Sequence, residues 1–367
     1  MFIDRPTEPP PDPGAGLVPQ LVMMTRALLS SPVRGQLFLL GGGVSLVIIA
    51  TAYEQIRLNR WNQPFYDALA RHDFRQFMMQ LGVFAIIAAI LLILNVAQRW
   101  LAEMLKLKLR EGLVRDLVGE WLKPGRGARL AGEGAIGVNP DQRMHEDARH
   151  LSELSGDLGV QLLQSSVLLV TFVEVLWVLS RGFIFHWQGH TFSIPGYMVW
   201  AAILYAMTGS LLSYWVGGSL IPKNAERYQR ESELRYSLMQ VNQHLPALAD
   251  DRDEEEAERR IANDLHTVLL AMRKLVTGLT ELTWVTAGYG WLTLVAPILA
   301  AAPAYFAGDL SFGGMMMAAG AFIQVQSSLR WFVDNFSTIA DWRATLLRVA
   351  SFRRALITEP PAEIVSS

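Results

Sequence analysis

The chain has no cysteine among its 367 residues. Disulfides, zinc–thiolate sites, iron–sulfur clusters and cysteine nucleophiles are therefore excluded. Charge is also scarce, at 18% of residues against 51% hydrophobic, with a mean hydropathy of +0.24. The net charge of −2 supplies no basic footprint for nucleic acid. The opening stretch MFIDRPTEPPPDPGAG places no apolar run behind a basic start, so it does not read as a signal peptide. Its prolines predict a solvated, extended tail over residues 1–20. HExxH, G-x-S-x-G and G-x-x-x-x-G-K-[ST] are all missing, so neither a hydrolase nor an ATP-cradling loop is expected, and no cofactor is called for. Gly132-Glu133-Gly134-Ala135-Ile136-Gly137 matches G-x-G-x-x-G literally, but charged helix precedes it rather than a strand. His186 and His190 would suit a metal only on a helix, and their short glycine-containing loop offers no third ligand, so no metal site is expected.

What the chain does have is long apolar runs. A bilayer core about 30 Å thick needs roughly 20 apolar residues per helical crossing. Six segments qualify: Gln36–Ile56, Gln80–Val96, Val160–Ser180, Tyr197–Gly217, Trp284–Ala302 and Phe312–Leu329. The expected fold is an all-α membrane protein with six transmembrane helices. Of the 32 Lys and Arg residues, 27 fall in the N-terminal arm, the loops after segments two and four, and the C-terminal tail. That bias puts both termini and both long loops in the cytoplasm.

Helical periodicity carries the second segment on through Gln98–Glu120, with Leu101, Leu105, Leu109, Leu113 and Leu117 in phase. After a glycine-rich turn, Asp141–Leu158 reads as helix again. The second long loop repeats the design, with Asn224–Gln243 helical, Pro246–Asp253 breaking it and Glu254–Thr277 returning. Two cytoplasmic helical stalks of roughly 35–40 Å are thus expected. Gln20–Leu29 reads either as an interfacial elbow within residues 21–35 or as a plain linker. The membrane domain spans residues 36–356, with a tail over 357–367. One six-helix unit encloses no large cavity, whereas two related by a twofold axis can, so a homodimer in the lipid bilayer is expected.

Glu174 lies inside the third segment, where a carboxylate costs about 3 kcal/mol unless it faces a cavity or partner. Gln164, Thr171 and Glu174 share one helical face, a stripe suited to lining a pore or to bonding a neighbouring helix. Glu54 at the outer end of segment one and Glu281 at the inner end of segment five read as interfacial charges or as further proton carriers. Asn139 and Asp141 around Pro140 look like helix-start residues bracing the first stalk.

Asn139-Pro140-Asp141-Gln142-Arg143, followed by Glu146-Asp147, resembles the NPDQR motif of one branch of type IV ABC exporters. That branch comprises the peroxisomal fatty-acyl transporters, bacterial fused permease–ATPases and the SbmA/BacA peptide transporters. Trp61 with Pro64-Phe65-Tyr66-Asp67, Ile194-Pro195-Gly196-Tyr197 and the RWFVDN run Arg330–Asn335 are similar too, so the likeness covers about residues 35–356. It implies the six-helix exporter membrane fold, in which the NPDQR residues form part of the surface that meets an ATPase. This sequence departs from the ATP-driven members: it contains no P-loop, and Asn242-Gln243-His244-Leu245-Pro246 does not match their Glu-rich second-loop motif. SbmA/BacA relatives also lack the ATPase, and similarity to them implies proton-driven uptake of peptides in a bacterial inner membrane. The alternative is a permease subunit served by a separate ABC ATPase.

Overall fold

The computed structural model describes residues 16–130, 139–181, 183–187, 190–244 and 251–357. Eleven helices cover most of these residues: α1 Leu17–Ser30, α2 Arg34–Ala70, α3 Phe74–Trp121, α4 Arg126–Leu130, α5 Pro140–Gln142, α6 Ala148–Ser180, α7 Tyr197–Gly217, α8 Leu220–His244, α9 Asp251–Phe306, α10 Phe312–Asp334 and α11 Phe336–Ile357. A π-helical turn, Arg143–Asp147, joins α5 to α6. One antiparallel hairpin interrupts the helical pattern, with β1 Ile184–Trp187 and β2 His190–Ser193.

Among the described residues, five helices are long and apolar enough to cross a membrane: Arg34–Ala70, Phe74–Trp121, Pro140–Ser180, Tyr197–Gln243 and Glu254–Phe306. They contain the first five expected segments, and the chain is a multi-pass, all-α membrane protein. The sixth expected segment forms α10, which is not among the five. Gln324, Gln326, Ser327 and Ser328 dilute its second half, and Phe322, Val325 and Gln326 are buried by protein. A sixth crossing is therefore a proposal.

The chain divides into two compact units. The first comprises residues 1–175, 311–317 and 327–367; the second comprises 176–310 and 318–326. In the first, α2 and α3 form the largest helix pair, joined by a tight turn in which His72 takes a left-handed backbone (φ 58°). Asp73 caps α3 by accepting from the Gln76 amide at 3.0 Å. At 48 residues α3 reaches about 72 Å, far more than a bilayer needs, and its surplus is the first stalk. There Leu113, Leu117, Leu130, Met144, Ala148, Leu151, Leu346, Val349 and Phe352 bury one another with Met24 of α1. Helix α1 covers the stretch for which an elbow was expected, and Gln20 is buried where it accepts from Arg343.

The second unit carries the hairpin and the α7–α9 and α8–α9 pairs. The Tyr205 ring stacks on Tyr289 at 4.3 Å between centroids, and its hydroxyl donates to the Tyr289 carbonyl at 2.9 Å. In the small-residue row Gly209, Ser213 and Gly217, a Cβ at Gly209 would strike the Tyr289 ring, whereas one at Gly217 would meet open space. In the second stalk Lys274 pairs with Glu226 at 2.8 Å, and the Ser237 hydroxyl donates to Asp264.

Candidate functional site

The polar stripe of α6 does not act as one network. Gln98 Nε2 donates to Gln164 Oε1 at 2.8 Å, tying α3 to α6, while the buried Gln98 Oε1 has no partner. The Thr171 hydroxyl donates to its own helix at the Val167 carbonyl, 2.6 Å away. Glu174 is ten residues, or about 15 Å, along the helix from Gln164. Its side chain is exposed, and no hydrogen bond or ion pair reaches it among the described residues. An ionised carboxylate turned to hydrocarbon would cost about 3 kcal/mol.

The two outlying acids sit in different surroundings. Helix α2 runs on past Pro64 to Ala70, so Glu54 is well inside a helix rather than at its end. It is buried and pairs with Arg57 at 2.9 Å. Glu281 is exposed on α9, with Lys223 Nζ 3.9 Å away.

The NPDQR residues build a braced node instead of a capped helix start. Pro140 does open a helix, but Asn139 has a left-handed backbone (φ 57°) and its side chain makes no capping bond, which corrects the expected role of Asn139. Asp141 is exposed, and Gln142 donates to Glu146 at 3.4 Å. Asp147 is the hub: 7% exposed, it accepts from Arg143 at 2.9 Å and from the Arg348 guanidinium at 3.1 and 3.2 Å. Helix α11 is thereby fastened to the first stalk. Arg353 reinforces the attachment through Asp116 at 2.6 and 3.1 Å, and the hydrogen bond to that carboxylate holds its pKa above the ordinary arginine value against the lowering effect of burial. Arg129 donates to the Ala355 and Leu356 carbonyls, satisfying the end of α11. Beside this node an open groove of about 540 Å³ has an apolar floor of Leu107, Val114, Val118 and Met144 and a rim that includes Glu111 and Asp141.

A third feature was not assigned a role from sequence. Asp67 accepts from the Gly313 amide at 2.8 Å and from the Ser311 hydroxyl at 2.9 Å, placing its carboxylate at the start of α10. Asn59 donates to the Met317 carbonyl at 3.0 Å, and Trp61 Nε1 donates to the Gln80 carbonyl at 2.8 Å. Trp61 also stacks on Phe65 at 4.4 Å. Gly313 has no room for a Cβ against the Gln63 carbonyl. Within the Trp61 and Pro64–Asp67 signature, Tyr66 and Asp67 thus clamp the first turn of α10, while Trp61 and Phe65 tie α2 to α3. The sequence signal was a carboxylate after an aromatic run, whose partner 246 residues away no local pattern reveals. The backbone of His186 and His190 is in strands, paired with Thr191 and Trp187, while their side chains lie outside the described residues. No acid–histidine cluster fit for a metal occurs among the described residues. Gly132 to Gly137 also lie outside them.

Five membrane-length helices prolonged into charged stalks define the membrane part of a polytopic transport protein. The family model for ABC transporter transmembrane region 2 matches residues 24–306. The chain belongs to that family, as the NPDQR residues implied. It is 26% identical over 316 residues to the Inner membrane ABC transporter ATP-binding protein YddA of Escherichia coli K12, covering 86% of this chain and 56% of the relative. It is also 23% identical over 309 residues to ABC transporter D family member 2, chloroplastic, of Arabidopsis thaliana, covering 84% and 42%. The chain thus spans about half the length of the curated relatives it matches.

Proposed function

We propose that two copies of this chain form a transporter that takes up peptides or peptide-like solutes by alternating access, coupled to protons. Both termini and both stalks would lie in the cytoplasm of a bacterial cell whose inner membrane it spans, with α10 as the sixth crossing. The observation that carries this reading is Glu174, an exposed carboxylate with no partner among the described residues, set in an apolar helix. Facing a water-filled cavity between two copies, it escapes the cost of lipid contact and can take up and release a proton as the cavity changes sides. Gln164 and Thr171 continue the same face, while Glu54 and Glu281, each beside a basic residue, are weaker carriers. The test is uptake of a labelled peptide into proteoliposomes under an imposed pH gradient. Glu174→Gln should abolish the pH dependence; uptake with an unchanged pH profile would remove Glu174 from the mechanism.

A second reading has support from the relatives, whose printed names describe ATP-binding proteins. Here the chain is a permease driven by a separately encoded ATPase that docks on Asn139–Asp147. It predicts ATP-dependent flux once that ATPase is supplied and none from a pH gradient alone.

A further inference from the structure

Of the five membrane-length helices, α3 is the one least covered by protein. Phe74, Met78, Ile86, Ile93, Val96 and Trp100 fall within about 120° of one another round it, and each is 51–74% exposed. From Phe74 to Trp100 this stripe is about 39 Å long, close to the 40–45 Å of a bilayer with its headgroups. Both ends therefore lie at headgroup level, and both carry arginine. At the stalk end Arg99 is paired with Glu103 at 2.8 Å. At the far end Arg71, His72 and Arg75 are exposed, and their side chains have no hydrogen bond or ion pair among the described residues. Asp73, between them, turns its carboxylate to the Gln76 amide, and Asp67 is held by Ser311 and Gly313. The His72 amide donates to the Leu69 carbonyl at 3.1 Å and the Asp73 amide to the Ala68 carbonyl at 2.9 Å, the paired bonds that close a helix through a left-handed residue. Glycine is the usual residue there, and His72 at φ 58° carries backbone strain that glycine would not.

We propose that Arg71, His72 and Arg75 bind the phosphate of an anionic phospholipid in the leaflet opposite the stalks. The site needs only that α3 crosses the membrane; naming that leaflet the outer one rests on the orientation in the reading above. Guanidinium forks match phosphate oxygens, and an imidazole N–H adds a donor. Arg75 also lies in the first turn of α3, where the helix dipole favours an anion. The apolar side chains beside the charges decide between a lipid and a soluble anion. Leu69, Phe74, Met78 and Met79 are all at least half exposed there, and acyl chains cover such surface while a free phosphate does not. A second copy of the chain offers little in exchange. The connections on that side contain only Asp67, Asp73 and Asp309 as acids, and the first two already accept hydrogen bonds. Arg71 is one helical turn past Asp67, so a lipid held here steadies the end of α2 from which Asp67 grips the first turn of α10.

The absence of cysteine allows one fluorophore to be attached at Met79→Cys, an exposed position one turn from Arg75. The full chain is placed in phosphatidylcholine nanodiscs that hold a small fraction of phosphatidylglycerol or phosphatidylcholine, spin-labelled near the top of the acyl chain. Quenching by the phosphatidylglycerol label should exceed quenching by the phosphatidylcholine label several-fold. Arg71→Gln together with Arg75→Gln should make the two equal, while lysine at both positions should keep most of the preference. His72→Gly relieves the backbone, so it should lower the preference without lowering the melting temperature. Equal quenching by the two lipids with both arginines in place, or quenching by neither, overturns the site. Loss of the preference on adding millimolar glycerol phosphate also overturns it, by assigning the charges to a soluble anion. An unchanged preference in His72→Gly overturns the part given to the imidazole. Separately, His72→Cys should react with a membrane-impermeant maleimide added to spheroplasts. A cysteine shielded from that reagent, with the phosphatidylglycerol preference intact, overturns the orientation proposed above and leaves the lipid site standing.

Discussion

Replacing Asp147 by asparagine keeps the shape of the side chain and removes the charge that two arginines share. Asp147 is 7% exposed and accepts three charge-assisted bonds, one from Arg143 and two from Arg348. Removing one member of a fully buried pair costs about 3–5 kcal/mol. The Arg348 side chain is 35% exposed and that of Arg143 18%, so water recovers part of the loss. Halving the figure for that screening leaves about 2 kcal/mol, roughly a thirtyfold rise in the opened population. The cost falls locally, on the attachment of α11 to the first stalk. Amide hydrogen exchange over Leu346–Phe352, in protein held in detergent micelles, reads that opening free energy without requiring two-state unfolding of the whole chain. Exchange in Asp147→Asn should be faster by about that factor. Arg348→Ala should do much the same, and the double variant should cost far less than the two singles together. Protection unchanged within about threefold, or fully additive costs, would refute the account of Asp147 as a hub.

Leu117→Ala removes a fully buried side chain from the same core and should cost about 3–5 kcal/mol, read as a lowered melting temperature. Gly313→Ala forces a methyl into the Gln63 carbonyl, and the overpacking should cost about 1–3 kcal/mol, read as a lowered melting temperature. Acid should loosen the stalks. Hydrogen bonds from Lys123, Lys274 and Arg230 hold Glu120, Glu226 and Glu233 below the ordinary 4.5. Because these folded-state values are depressed, their stabilisation is present above pH 4.5 and is lost as pH falls below it. Circular dichroism should show stalk helicity falling over that range, and less so in 1 M salt, where the pairs are already screened.

The helical content was legible because apolar periodicity runs unbroken from each span into its stalk, as Leu101 to Leu117 show on α3. Helix ends were less legible. Pro64 reads as a breaker, yet α2 continues through it while Trp61 and Phe65 pack on one another and on Phe84 and Phe77. Glu54 accordingly lies within a 37-residue helix, buried and paired with Arg57. The hairpin after α6 lacked a two-residue turn signature of Asn-Gly or Asp-Gly. The candidate site was visible only as residue types. Composition marks Glu174 and Asp147 alike as acids near apolar stretches, but one is exposed and unpaired while the other holds two arginines, and only tertiary contacts separate them.

The most direct test of a proton-coupled pair of membrane domains is the initial rate of labelled-peptide entry into liposomes holding only this protein, without nucleotide. The account predicts accumulation that scales with an inward proton gradient, collapses with a protonophore and is lost in Glu174→Gln. Entry that ignores the gradient and begins only when ATP and a partner ATPase are added would contradict it.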